Sequence, residues 1–544
     1  MPLHGSRRRF LVQTAGALAS LGLGGCGESP LTMRPRKLVG GFAGPSFERG
    51  HRLRDLASIP PADEFRKTDV AIIGGGIAGL AAARALQHGG VDDYRLFELE
   101  DAIGGNSRAG EVAGFVCPWG AHYLPLPGPS AEDVADLLNE LKLRKLVDGR
   151  PQYDERHLCH APQERLYLPE ARVWQDGLLP VHGQDEATLA QYRRFAALVR
   201  EQSQPGQFAI PTSRARWDAS LSALDAETFA NWLDRHALTA SALRWYLDYC
   251  CRDDYGAGID TVSAWAGLHY FASRHGFHAP GEDGEDLEQN LTWPEGNHWL
   301  ASRLAAPHRE RTQTGAITLR ISEAANGVDI DVLDAGSGRV TRWQAQRVIV
   351  ATPLFIAARL LADPPEALKK AEKTMAYSPW LVANLHVTAP LDARHDQPPL
   401  SWDNVIYGST GLGYVNAMNQ SLRSHDGPTV LTCYRAFGDD AEVGRKALLS
   451  RSWQDWAEVL IAELAPAHPD LSAKLGDIRI ARYGHAMAIP TPGIRSSAWL
   501  AALAEPQGRV AFAHADLSGY SVFEEAFDRG LRAGISTAKA LRKL

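Results

Sequence analysis

From about residue 67 onward, apolar and polar positions fall into clear periods. Asp69–Ile73 is a short apolar run, the pattern of a strand buried on both faces. Ile77–His88 is apolar at helical spacing and rich in alanine, and Gly89-Gly90 stops it. Tyr94–Glu100 alternates as a second strand does, so the order strand, glycine turn, helix, strand predicts a βαβ unit. Ser130-Ala131-Glu132-Asp133 has the form of a capping box ahead of the amphipathic run 134–147, which predicts a helix starting there. From about 150 to 290 short strands mix with aromatic-rich helices, and the acidic, glycine-containing stretch 278–290 reads as an element boundary. Residues 316–322 and 328–333, with turns at Asn326-Gly327 and 336–338, lead into 339–353 as an antiparallel meander that ends in the apolar strand Val348–Ala351. Residues 356–475 return to mixed helix and strand, and 508–541 reads as strand, loop and long helix.

Composition adds bounds. At 544 residues the chain is too long for one core, and 45% apolar with 22% charged residues is ordinary for a globular protein. A net charge of −7 argues against a nucleic-acid partner. The first thirty residues change the picture more. A basic start is followed by an apolar stretch, Phe10–Gly25, shorter than the roughly 20 residues that span a bilayer, so it reads as a targeting segment. Ser6-Arg7-Arg8-Arg9-Phe10-Leu11 resembles the twin-arginine signal, which implies export in the folded state by the twin-arginine machinery. Leu23-Gly24-Gly25-Cys26 resembles a lipobox, implying either a lipid anchor at Cys26 or a spectator cysteine beside an ordinary cleavage site. The expected location is therefore the periplasm or cell envelope, with membrane contact only through that anchor. Residues 31–66 read as a tether. Cys117, Cys159, Cys250, Cys251 and Cys433 form no disulfide framework, and the cluster His157, Cys159, His160 lacks the second ligand group a metal site needs. No metal is expected.

The chemistry sits in the first turn. Gly74-x-Gly76-x-x-Gly79 follows a strand and opens a helix, with Ile77 and Ala78 as its first helical residues. The first glycine permits the tight turn, the second admits a pyrophosphate, and the third lets helix and strand pack closely. The helix N-terminus supplies N–H donors and a positive dipole end. Glu98, 19 residues beyond Gly79, is placed to accept from ribose hydroxyls. This is the pattern of a dinucleotide site.

Further along, Glu98 followed by Gly104-Gly105, the segment 114–125, the return strand 347–353 and the closing segment 510–527 together resemble the flavin-containing amine oxidase superfamily. That superfamily includes monoamine and polyamine oxidases, protoporphyrinogen oxidase and phytoene desaturase. The resemblance implies an α/β fold, with a Rossmann-type FAD-binding domain of parallel sheet plus antiparallel meander and an inserted α+β substrate domain. It divides the chain into 1–30 signal, 31–66 linker, 67–125, 293–355 and 478–544 for FAD, and 126–292 and 356–477 for substrate. It implies FAD as cofactor, with Gly74, Gly76, Ile77, Ala78 and Gly79 at the pyrophosphate, Glu98 at the adenosine ribose, and Gly105 and Asn106 near the phosphates. Ile321 would lie near the adenine, Asp516 at the phosphate or ribityl region, and the N–H of Val522 at the flavin. Tyr520 and Tyr483 would be the two walls of an aromatic cage.

The chain also departs from that pattern. Asn106 stands where arginine is usual, Ala383 or Asn384 where amine oxidases commonly carry lysine, and 523–526 reads Phe-Glu-Glu-Ala where Gly-Ala is usual. Asp248, Asp253 and Asp254 lie among aromatic residues, a combination suited to a cationic amine or to an ordinary solvated helix end. The resemblance implies an exported, FAD-dependent oxidoreductase that takes hydride from a carbon beside nitrogen in a small-molecule substrate. Two alternatives stand beside it: a desaturase or porphyrinogen-oxidase-like enzyme acting on an apolar or ring substrate, and an envelope flavoprotein whose FAD is structural.

Overall fold

The computed structural model describes residues 38–55, 58–203, 206–281, 289–393, 396–421 and 427–542. The stretch expected to be an export signal, Cys26 and the middle of the acidic loop 278–290 lie outside them.

Two sheets organise the described chain. The first is built around Glu64–Ile73, whose last residues are fully buried because helices cover both faces. Tyr94–Phe97 pairs with it in parallel on one side and Val340–Val350 on the other, and Thr312–Gln313 and Val510–Phe512 extend the parallel part. Val340–Val350 is long enough to serve a second partner: its first half pairs antiparallel with Gly327–Asp334, which pairs in turn with Ala316–Ala324. The parallel sheet and its meander are thus one seven-stranded layer.

The helix Ile77–His88 packs on this layer and is crossed by the last helix, Phe523–Leu541. The crossing is close because both surfaces are small-residue surfaces. A Cβ on Gly530 would lie 2.0 Å from the Ala78 carbonyl oxygen, and one on Gly534 would lie 2.5 Å from Ala85 Cβ. The alanine-rich stretch therefore reflects helix–helix approach as well as helix propensity.

The second sheet has eight strands, in the order Val39–Ala43, Leu475–Ile489, Ala376–Val387, Thr429–Ala436, Tyr414–Asn416, Asp403–Ile406, Glu164–Leu168 and Val173–Asp176. Helices between Glu186 and Ala272 bury Phe195, Phe229, Trp232 and Trp265 in a core shared with Trp380, Val382 and Tyr434 of the sheet. Cys250 and Cys251 are buried in this core and are not joined to each other by a disulfide.

Several expectations are corrected. The stretch expected to be a tether is ordered from residue 38. Val39–Ala43 is an edge strand parallel to 477–481, and the helix Phe47–Asp55 docks on the nucleotide layer through the Ser46 N–H on Glu100 (2.9 Å) and Arg49 on Asp101 (2.7 Å). A strand whose partner lies more than four hundred residues away leaves no local trace. The helix expected from the capping box begins at Glu132, but Ala131 precedes it and no side chain caps it; Asp133 instead pairs with Arg214 at 2.9 Å. It ends at Glu140, and 144–147 forms a hairpin strand with 150–153, because Lys142 takes a positive φ of 61° that breaks the helix. Leu475–Ile489 belongs to the eight-stranded sheet, so the chain returns to the nucleotide layer after Ile489, later than the expected boundary at 478.

Candidate active site

The glycine loop has the geometry its sequence requires. Gly74 sits at φ 106°, a left-handed conformation, and a Cβ there would come within 2.6 Å of the Ala351 carbonyl oxygen. Gly79 packs so tightly on the strand end that a Cβ would lie 1.9 Å from the Gly74 carbonyl oxygen. Gly76 differs: its φ of −74° suits any residue, and a Cβ would meet only Gly105 Cα, at 3.9 Å. Gly105, at φ 55°, faces it across the same gap. Gly76 is therefore small for the sake of a passage, which is the shape a pyrophosphate needs above the open N–H groups of Ile77, Ala78 and Gly79.

Glu98 closes this end of the site. It is 7% exposed, and its two oxygens accept from Gly75 N–H (2.7 Å) and Glu100 N–H (2.8 Å). Burial raises its carboxyl above the ordinary range, while the two donors counter part of that rise. The remaining lone pairs are what a ribose diol would use. The loop, the facing glycines and this acid fit a dinucleotide.

A cavity opens between the Asn106 and Gly120 segment and the start of the last helix. Asn106, Gly120 and Ala121 line it on one side, and Ser521, Val522 and Phe523 at the start of the last helix line it on another. Asn106 is held in place by donating to the Ala486 carbonyl at 2.7 Å. Gly120 leaves no room for a side chain, since a Cβ would be 2.2 Å from the Asn106 carbonyl oxygen. Val522 is the N-cap of Phe523–Leu541, so the N-terminal end of this helix meets the cavity.

The opposite walls are aromatic. Tyr483 donates its hydroxyl to the Trp119 carbonyl (2.8 Å), and Tyr434 donates to the Gly120 carbonyl (3.0 Å). Both are fixed to the glycine-containing segment that forms the other wall. His122 stacks on Tyr434 with ring centroids 4.7 Å apart, and burial drives its pKa down to about 3, so the imidazole is neutral. Trp380 completes this side. On its strand, alternation turns Trp380 and Val382 toward the cavity. Ala383 packs into a different core cluster, while Asn384 is consumed by Pro118 and Thr432. The cavity-facing position nearest the expected lysine is thus Val382.

Charge enters from the helix Ser241–Tyr255 and from the last helix. Asp254 accepts from one Arg274 nitrogen at 3.0 Å through each oxygen, a nearly buried ion pair. Asp253 and Glu524 line the same cavity. Burial pushes both carboxyls up to about 7; the Asp254 charge adds to the rise at Asp253, and Arg274 counters it at both. Asp248, grouped with them in the sequence, is elsewhere, held by Arg252 (2.8 Å) and the Ile259 N–H (3.1 Å).

Of the expected site residues, Asn106, Tyr483 and Val522 line the cavity, whereas Tyr520, expected as an aromatic wall, does not. Tyr520 is fully buried behind it, edge-on to Tyr255 and His269, with its hydroxyl donating to Glu525 at 3.0 Å. Glu525 also accepts from the Thr212 N–H (2.6 Å), the Thr212 hydroxyl (3.1 Å) and Ser518, so the acidic replacement in this helix turn captures the tyrosine as a structural prop. Asp516 is fully buried, and its carboxylate takes the Leu354 N–H (2.9 Å) and the Tyr377 hydroxyl (2.6 Å) beside His514 at 3.0 Å. Burial opposes its ionisation, but His514 and these donors hold it below the usual range. Its side chain thus ties the return-strand corner to the closing turn. Ile321 is a core residue opposite Ile330. Conversely, Trp380, Tyr434, Arg274 and Glu524 were not anticipated as cavity residues, and only Glu524 left a signal, as the anomalous acidic pair.

Comparison with known proteins agrees with this geometry. The model of the flavin-containing amine oxidoreductases matches residues 77–534. AofH of Mycobacterium tuberculosis, provisionally named a flavin-containing monoamine oxidase, is 28% identical over 302 residues, which is 55% of this chain and 59% of that protein. The match therefore spans about three fifths of that relative. Among solved structures, a putrescine oxidase bound to putrescine superimposes with a TM-score of 0.62 at 19% identity, covering 88% of this chain and 100% of that one. Cyclohexylamine oxidase from Brevibacterium oxydans IH-35A gives 0.63 at 17% identity, covering 87% and 99%. At such identities the two structures speak for the fold.

Proposed function

The chain belongs to the flavin-containing amine oxidoreductase family and is an FAD-dependent oxidoreductase; from that premise we propose that it oxidises an amine in the aromatic, acid-bearing cavity. When bound, FAD supplies the acceptor for the hydride that leaves the carbon beside nitrogen. The protein's residues do the rest. Asp253, Glu524 and Asp254 outnumber Arg274 in the cavity and give it a negative potential that draws in a cationic amine. The Tyr483, Tyr434 and Trp380 rings present apolar faces that exclude water and favour the positive charge growing at the C–N bond. His122 stays neutral and adds no opposing charge. The Val522 helix start offers N–H donors to negative charge at the cofactor end. Loss of hydride and a proton leaves an imine, and water converts it to a carbonyl compound and a free amine or ammonia.

The observation that carries this reading is that one cavity joins Asn106, Gly120 and the Val522 helix start to aromatic rings and to Asp253, Asp254 and Glu524. An apolar or ring substrate would leave those carboxylates without a partner, which disfavours the desaturase alternative. Product analysis tests the reading. Incubation of the holoenzyme with primary amines and an electron acceptor should yield one carbonyl product per amine consumed, captured by a hydrazine reagent. No carbonyl product from any amine would remove the proposal's support.

Export follows from the same reading of residues 6–26. A chain with Arg7, Arg8 and Arg9 changed to lysine is expected to remain in the cytoplasm as folded holoprotein. Undiminished delivery to the envelope would contradict a twin-arginine route.

A further inference from the structure

Asn297 lines the cavity with one polar atom left over. Its backbone N–H donates to the Ala121 carbonyl (3.0 Å), its carbonyl accepts from the Ala301 N–H (3.1 Å), and its Nδ2 donates to the Tyr123 carbonyl (2.8 Å). Oδ1 is buried and accepts from no donor among the described residues, in a residue that is 2% exposed. The two ends of the amide are not interchangeable. A backbone carbonyl can only accept, so the nitrogen must face Tyr123 and the oxygen must face away from it. Nor does the oxygen serve the backbone. Asn297 is the N-cap of His298–Ala305, a position where asparagine commonly accepts from the first helical turn, yet no side-chain cap forms. Gly296 brings this turn against the wall, since a Cβ there would lie 2.7 Å from the Ala121 carbonyl oxygen. Ala121 and Tyr123, the two residues that anchor Asn297, line the same cavity. The amide is thus braced on the cavity wall at the expense of a cap, and its buried acceptor is costly unless a ligand donates to it.

The ligand chemistry is an N–H donor. Resting on the amine reading above, we infer that Asn297 Oδ1 accepts a hydrogen bond from the nitrogen being oxidised, and so selects amines that keep an N–H when neutral. That nitrogen must be unprotonated when its neighbouring carbon loses hydride, because its lone pair becomes the second bond of C=N. In this form a primary or secondary amine still carries an N–H, whereas a tertiary amine carries none. An N–H held on Oδ1 fixes the rotation of the nitrogen without tying up its lone pair. The bond strengthens as hydride leaves, because positive charge grows on the nitrogen, so the effect falls on the rate more than on binding. A tertiary amine in the same place leaves Oδ1 unsatisfied and crowds it with an alkyl group. Asn297 is then a determinant of specificity that touches the substrate.

The test follows bleaching of the holoenzyme's flavin without oxygen, at saturating amine. Hexylamine and benzylamine are each compared with their N-methyl and N,N-dimethyl derivatives. The expected result is bleaching by the N–H-bearing amines faster than by the N,N-dimethyl ones, on the order of tenfold or more. In Asn297→Leu and Asn297→Ala this ratio should fall toward one, through slowing of the N–H-bearing amines alone. A merely displaced wall would slow all the amines alike and leave the ratio where it was. Thermal melting confirms that each variant is folded. The flavin spectrum and FAD affinity of the amine-free variants separate the other donor that could reach Oδ1, a ring N–H of the cofactor. Equal rates in the unaltered enzyme overturn the inference and leave amine oxidation standing. A ratio unchanged in both folded variants overturns the assignment to Asn297, and a shifted spectrum or weakened FAD binding beside it gives Oδ1 to the cofactor instead. Bleaching by no amine overturns both readings.

Discussion

A chain carrying Gly76→Val is expected to fold and to purify without FAD. The prediction turns on the difference between the loop's glycines. Gly74 and Gly79 are needed for conformation and contact, so a side chain at either would wreck the turn itself. Gly76 has an ordinary φ, and the first added carbon meets only Gly105 Cα at 3.9 Å. The valine branches then fill the passage between the two glycines and hold the phosphates off the helix N-terminus. Loss of two backbone-to-phosphate hydrogen bonds, at about 1.5 kcal/mol each, corresponds to a weakening of FAD binding on the order of 100-fold. Flavin fluorescence titration measures it, and circular dichroism confirms the fold. A Gly76→Val protein that retains FAD stoichiometrically would show that the phosphates do not pass between Gly76 and Gly105.

Arg274→Met is the second large effect, and it concerns stability. Arg274 lines the acidic cavity and compensates Asp254 directly. Removing one member of a buried ion pair costs about 3–5 kcal/mol, because the other charge is left without a partner. Here Asp253 and Glu524 also lose their nearest positive charge. The pH dependence has a definite sign. Both carboxyls have folded pKa values near 7, above their ordinary carboxylate values, so the native state binds protons more tightly than the unfolded chain. Their protonated forms therefore favour folding below the unfolded values, and this contribution is lost as pH rises through about 7. The melting temperature should fall from about pH 5 to about pH 8 in the unaltered protein and fall more steeply in Arg274→Met. Equal stability of the two proteins at the upper pH would contradict the role given to Arg274.

The fold was legible where its signals are local. Gly74, Gly79 and Glu98 announced a nucleotide turn because each answers a steric or hydrogen-bonding demand within thirty residues of chain, and the meander announced itself by alternation and turns. The edge strand Val39–Ala43 was invisible because five residues with no apolar period gain their structure from 477–481, far along the sequence. Tyr520 was misplaced for a different reason. The Gly-Tyr pair marked its position along the chain, but whether the ring faced the cavity depended on Glu525 and Thr212, which meet only in the folded protein. The strand 376–387 shows the same limit on a smaller scale. A shift of one residue decides between Val382 at the cavity and Ala383 in a core, and parity is set by pairing with 429–436 rather than by the strand's own letters. Trp380 and Tyr434, brought together by that pairing, had no sequence signature at all.

The central claim is that this cavity brings an amine to FAD for oxidation. Anaerobic titration of the purified holoenzyme with amines, followed by visible absorption, tests it most directly. The account predicts flavin absorption bands in the resting protein, released as FAD on denaturation, that bleach stoichiometrically as an amine is added. A colourless protein, or a flavin spectrum that no amine bleaches, would contradict it.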